Sequence, residues 1–88
     1  MSVYVDNATW PWRGKLWAHL FADSVEELHN FAARLGLKRA WFQNHQKLPH
    51  YDVTQQKRER AIALGAQPVG RRELARHMKR IAELERTG

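Results

Sequence analysis

Asp6, His19, His50 and Asp52 are the residues of this 88-residue chain whose side chains could do chemistry together. Carboxylates and neutral imidazoles are common ligands of divalent ions, and histidine exchanges protons near neutral pH. Such a set could hold a cation through Asp6 and Asp52 while His19 or His50 acts as base. That is the machinery of a metal-assisted phosphodiesterase or hydrolase, with a divalent metal ion as its cofactor. Asp23 and His29 belong to the same scattered group of titratable residues. None of the usual zinc spacings is present, and the absence of cysteine excludes thiolate sites and disulfides. The chemistry therefore depends on whether the fold brings these distant positions together.

A second constellation is local. PHYDVTQQKR, residues 49–58, places His50, Tyr51, Asp52 and Thr54 just ahead of a helix that carries Lys57 and Arg58 one turn in. A helix start has unpaired amide hydrogens and a partial positive charge, so it suits a phosphate or a carboxylate. Thr54, Lys57 and Arg58 could close on such an anion, with His50 and Tyr51 reaching the same space. The competing account is that Asp52 or Thr54 caps the helix, which contributes about 1 kcal/mol, while Tyr51 fills the core. A third constellation, WPWRGKLW, interleaves Trp10, Trp12 and Trp17 with Arg13 and Lys15. Aromatic rings beside cations can stack bases and contact phosphates. In so small a domain Trp17 and Trp41 are expected in the core. Trp10 and Trp12, in a loop, remain as surface anchors for a partner.

These residues need elements to position them. SVYVD alternates in the manner of a strand, and NATWPWRGK, broken by Pro11 and Gly14, reads as a loop. LWAHLFA alternates again, and the nine-residue connection permits antiparallel pairing with the first strand. Ser24 and Glu27 have capping-box spacing ahead of a helix whose apolar face is Val25, Leu28, Phe31, Ala32 and Leu35; Gly36 ends it. LKRAWFQ fits a short strand or a helical turn. A second helix follows the PHYDVT segment, with Val53, Ala61 and Leu64 on one face and Gly65 at its end. AQPV contains Pro68, so it is restricted to a short or edge strand. A basic helix over about residues 71–86 closes the chain, with Leu74, Met78, Ile81 and Ala82 on one side and mainly cationic residues on the other. The order is β–β–α–(turn)–α–β–α. It predicts an α/β fold in which three helices pack on a small mixed sheet made of two N-terminal strands and a short later one.

Length and charge bound the function. Eighty-eight residues suffice for one domain. The net charge is +6, and nearly all of it lies in residues 45–88, which carry ten Lys/Arg against five Asp/Glu. A bias of that kind favours phosphate-bearing partners, nucleic acid or nucleotide. No run approaches 18 apolar residues, and the N-terminus has no signal-peptide pattern, so a cytoplasmic protein without a membrane partner is expected.

Taken together, MSVYVDNA, HLFADSVEELHNFAARLGL, WFQ at 41–43, HYDVTQQKR and ALGAQPVGRREL resemble a family of small bacterial and phage proteins. It is the domain-of-unknown-function family numbered four thousand and thirty-one. The likeness runs to about residue 75. It implies that Asp6, His19, Asp23, Glu27, His50, Tyr51, Asp52, Lys57 and Arg58 occupy the family's polar motif positions, and it implies no particular reaction. The leading expectation is a domain that binds a phosphate-bearing ligand at the helix start near Thr54. The alternatives are the metal-assisted hydrolase built on Asp6, His19, His50 and Asp52, and a protein-interaction module anchored by Trp10 and Trp12.

Overall fold

The computed structural model describes residues 2–7 and 10–87, the side chains of 81–87 excepted. The chain orders itself around one strand. β3 (Lys15–Ala22) pairs on one edge with β1 (Val3–Val5) and β2 (Trp10–Trp12), and on the other with β5 (His50–Thr54), all antiparallel. A two-residue strand, β4 (Phe42–Gln43), pairs antiparallel with β5, and β6 (Gln67–Pro68) pairs parallel with β1 at the far edge. The sheet order is β4-β5-β3-β1-β6, with β2 alongside β3. Helices α1 (Val25–Arg34), α2 (Gln55–Ala63) and α3 (Arg71–Thr87) complete the mixed α/β fold that the sequence pattern predicts.

Side chains of a strand alternate between faces, and here the alternation separates core from chemistry. Val3, Val5, Ala18, Leu20, Ala22, Tyr51 and Val53 point to one face, where they pack against Leu28, Phe31, Ala32 and Leu35 of the α1 segment and Ala61 of α2. Trp17, His19 and Phe21 of β3, and His50, Asp52 and Thr54 of β5, point to the other face. α3 covers only one end of that second face. There His77, buried at 7% exposure, sets its ring 4.9 Å from that of Phe21 and 5.6 Å from that of Tyr4. Of the apolar face expected for this helix, Ile81 and Ala82 lie outside the described side chains, and Leu74 and Met78 are half-buried.

Local signals account for the helix ends. Ser24 caps α1 by accepting the Glu27 amide at 3.1 Å. Gly36 follows at φ 84°, a backbone conformation that glycine adopts without a Cβ penalty. Thr54 is at once the last residue of β5 and the cap of α2, accepting the Lys57 amide at 3.3 Å.

Three expectations are corrected. The NATWPWRGK segment is not simply a loop, because Trp10–Trp12 forms a hairpin strand against β3, and Pro11 is tolerated on a strand with a free edge. HYDVT is an interior strand rather than a lead-in to the helix. Trp41, expected in the core, is 49% exposed, because the core is filled instead by Tyr51, Leu20, Leu28, Leu35 and Phe31.

Candidate metal centre

The centre is assembled by register. His19 stands directly opposite Asp52 in the β3–β5 ladder, and His50 lies two residues from Asp52 on the same face of β5. The His19 and His50 rings meet edge to face with centroids 4.9 Å apart. His50 Nε2 is 3.3 Å from Asp52 Oδ1. One donor atom from each of His19, His50 and Asp52 falls within 4.8 Å of the others. A tetrahedral ion with bonds of 2.0–2.1 Å separates its ligand atoms by about 3.4 Å, so a modest inward movement would close the set.

Asp6 enters from the break between β1 and β2. Its amide donates to the His19 carbonyl at 3.1 Å, continuing the ladder for one residue. Its carboxylate then turns back: Oδ1 accepts the His19 backbone N–H at 2.6 Å, and Oδ2 takes the His19 Nδ1 at 2.7 Å. Both oxygens of Asp6, the residue expected to hold a cation, are engaged by His19, and Asp6 is only 9% exposed. Its place is behind His19, where it fixes the ring and directs the proton to Nδ1. His50 is held in the same way, Nδ1 lying 2.6 Å from the Leu48 carbonyl, which can only accept. Both rings are thus anchored through Nδ1 by an oxygen, and their Nε2 atoms are left to face other partners. Metal-bound histidines characteristically have this support. Leu48 contributes through its backbone, so no side-chain pattern could have pointed to it.

Asp52 is the odd member. Its Oδ1 is shielded from solvent and accepts no hydrogen bond, and the 3.3 Å approach of His50 Nε2 is not aligned as one. With the His50 proton on Nδ1, the Nε2 lone pair and the Asp52 oxygen are two acceptors facing each other. Such a contact is satisfied when a proton or a cation lies between them.

At the start of α2, where a phosphate seat is expected, the side chains have partners within the fold. The Thr54 hydroxyl caps the helix. Lys57 turns away to donate to the Leu35 carbonyl at the end of α1, at 3.3 Å. Arg58 Nε donates to the Asp6 carbonyl at 2.7 Å, tying α2 to the strand break that carries the carboxylate. Lys57 and Arg58 therefore act as braces. Tyr51, expected as a ligand contact, is 1% exposed on the core face, its hydroxyl 2.7 Å from His29 Nδ1. The two-residue period of β5 sends it away from His50 and Asp52. His29 is consequently on the core side as well. Asp23 lies elsewhere, accepting from the Ser2 amide at 2.9 Å and the Tyr4 hydroxyl at 3.0 Å.

The imidazoles differ in titration. Hydrogen bonding to Asp6 raises the pKa of His19 above 6.5 despite partial burial, and the charges of Asp6 and Asp52 act in the same direction. Burial lowers the pKa of His29 and of His77. A proton-linked stability change follows the sign of each shift. The His19 contribution is complete below the unfolded pKa near 6.5 and is lost as pH rises through its higher folded value. The contributions of His29 and His77 are complete above 6.5 and are lost as pH falls through their lower folded values. An NMR titration of the imidazole protons should therefore find His19 with a midpoint above 6.5 and His29 and His77 below it; the reverse order would contradict this arrangement.

Tryptophans border the centre. Trp10 lies nearly parallel to the His19 ring, with centroids 6.1 Å apart and an interplanar angle of 10°. It is 41% exposed, and neighbouring Trp12 is 47% exposed. Trp17, expected in the core, instead stands half-buried on the same face, its indole N–H donating to the Trp12 carbonyl at 2.9 Å. Trp41 reaches the region from the 3₁₀ turn Arg39–Trp41. Among the described residues no helix is long and apolar enough to cross a membrane.

The fold and site define a small mixed α/β protein with a histidine–carboxylate cluster on the face of its sheet opposite α1 and α2. The chain belongs to the family described as Protein of unknown function (DUF4031), which matches residues 3–81. That span contains every residue of the cluster. No curated protein and no solved structure matches the chain.

Proposed function

We propose that this protein is a divalent-metal-dependent hydrolase of phosphodiesters, with nucleic acid as its substrate class. The observation that supports the reading is the convergence of His19, His50 and Asp52 within 4.8 Å of one another. In this reading those three residues hold the ion, Asp6 and the Leu48 carbonyl orient the two imidazoles, and Arg58 and Lys57 brace the scaffold behind them. A bound divalent ion supplies Lewis-acid charge at a phosphoryl oxygen and a water that ionises near neutral pH. Three protein ligands leave positions open for water and substrate, as catalytic sites require. The substrate class follows from charge: a net +6 on 88 residues attracts polyanions, Arg13 lies against the Trp12 ring, and Lys15 begins β3, the strand that carries His19.

Calorimetric titration of dialysed protein with Mn²⁺ or Zn²⁺ should show one ion bound per chain. The loaded protein should cleave a labelled oligonucleotide until EDTA is added, and His50→Ala should abolish both. Absence of binding for either ion, or cleavage indifferent to EDTA, would overturn the reading.

A further inference from the structure

The β4–β5 pairing covers only His50 and Tyr51. Beyond it no strand among the described residues pairs with the outer edge of β5, and a cavity of about 560 Å³ opens between Trp12 and Trp17 on one side and Trp41 on the other. That volume falls within the roughly 300–1,000 Å³ of small-molecule sites. We infer that this cavity receives an unpaired nucleobase of a single-stranded nucleic acid, next to the phosphodiester presented to the His19–His50–Asp52 cluster. The inference rests on the nucleic-acid reading above and deepens it by naming the strandedness of the substrate and the residues that hold its base.

Four observations bear on the occupant. Three indole rings stand in the walls beside Leu37, Ala40 and Val53, and stacking on indole is open to any base because every base has a π face. Trp12 and Trp41 are 47% and 49% exposed, an arrangement costly in water that a planar aromatic ligand would relieve. Gln43 and Gln56 also line the cavity and offer amide donors and acceptors to a base edge. Cations attend both walls: Arg13 lies 4.5 Å from the centre of the Trp12 ring, and the Lys38 ammonium 5.7 Å from that of Trp41. A ligand that is aromatic at its centre and anionic at its margins fits this combination, and a nucleotide in a strand is such a ligand. Asp52 lines the same cavity, so a base seated there has its sugar–phosphate beside the cluster. A duplex keeps its bases stacked and paired, out of reach of such a slot.

The test is fluorescence anisotropy of labelled homopolymeric DNA and RNA oligonucleotides, carried out in EDTA so that metal binding plays no part. Wild-type protein should bind single strands at least tenfold more tightly than duplex of the same length, with affinity falling as salt rises. Trp41→Ala and Trp12→Ala should each weaken single-strand binding about tenfold, and Glu26→Ala, on exposed α1 surface outside the cavity, should leave it within about twofold of wild type. Trp41 projects from a surface turn, so if Trp12→Ala fails to fold by circular dichroism, Trp41→Ala alone decides. Trp-dependent binding without cleavage under any metal would sustain this inference while removing the hydrolytic reading. Failure of wild type to bind in EDTA, an equal preference for duplex, binding unaffected by Trp41→Ala, or capture of acidic peptides in place of oligonucleotides would overturn it.

Discussion

Asp6→Ala should lower the stability of the protein by about 3 kcal/mol, seen as a fall of roughly 15 °C in melting temperature. The Asp6 side chain, in a residue only 9% exposed, accepts from the His19 amide at 2.6 Å and engages the His19 ring at 2.7 Å. Alanine removes the acceptor and leaves a backbone N–H of the central strand without a partner. A buried donor stranded in this way costs about 1–3 kcal/mol, and the loss of the ring contact adds to it. Typical domains have only about 5–15 kcal/mol to lose. The Arg58 bond to the Asp6 carbonyl survives the change, so the loss isolates the carboxylate. Asp6→Asn separates scaffold from chemistry. Its amide oxygen can still accept the His19 N–H, and its NH₂ can donate to His19 Nδ1. The ring must then carry its proton on Nε2, the atom that otherwise faces Asp52 and His50. Most of the stability should return, while the affinity for Mn²⁺ or Zn²⁺ should stay depressed by about 10–100-fold. Melting curves, imidazole ¹⁵N shifts and metal titrations read the three quantities independently. A variant that melts like the wild type, or an Asp6→Asn protein with unchanged metal affinity, would contradict the role assigned to this residue.

The helices and the central strand were plain in the sequence because their signals are periodic and local. Val25, Leu28, Phe31, Ala32 and Leu35 mark one helical face, Ser24 and Gly36 bracket it, and Leu16, Ala18 and Leu20 alternate along β3. HYDVT alternates just as clearly, with Tyr51 and Val53 buried and His50, Asp52 and Thr54 less so. Its strand character was hidden because β5 passes into α2 without a loop, Thr54 ending one element and capping the other. Polar residues ahead of a helix resemble a cap whether or not they belong to a sheet. The same ambiguity bears on the cations that follow. Lys57 and Arg58 look free in sequence, and only tertiary structure brings the Leu35 and Asp6 carbonyls within their reach. The tryptophans misled for a different reason. Large rings are expected inside a small domain, yet this sheet has one face packed by α1 and α2 and another only partly covered by α3. Composition cannot tell which face a ring joins. Asp6, His19, His50 and Asp52 were identifiable by type, and their arrangement was not, since Asp6 and His50 are 44 positions apart in sequence and each reaches His19 only through the pairing of β3 with its neighbours.

Asp52→Asn should have the opposite signature from Asp6→Ala: a more stable protein that no longer holds metal. The Asp52 Oδ1 is shielded from water without a hydrogen bond, opposite the His50 Nε2 lone pair at 3.3 Å. An asparagine amide turned toward His50 would convert that acceptor–acceptor contact into an N–H···N hydrogen bond. It would also remove a charge from a partly buried position. A hydrogen bond gained contributes about 1 kcal/mol, so the melting temperature of the metal-free protein should rise by about 5 °C. The amide oxygen is a poor substitute for a carboxylate toward a divalent ion, and affinity for Mn²⁺ or Zn²⁺ should fall by about 100-fold or more, with cleavage falling alongside it. Residues kept for structure do not behave in this way, because removing them costs stability. Gains in stability on replacing a polar residue mark positions held for function at the expense of the fold. Thermal melts in EDTA and with added metal provide the comparison: excess ion should raise the melting temperature of the wild type and leave that of Asp52→Asn unmoved. A variant that melts below the wild type in EDTA, or one that binds the ion with undiminished affinity, would remove Asp52 from the ligand set and leave the imidazole pair without its carboxylate.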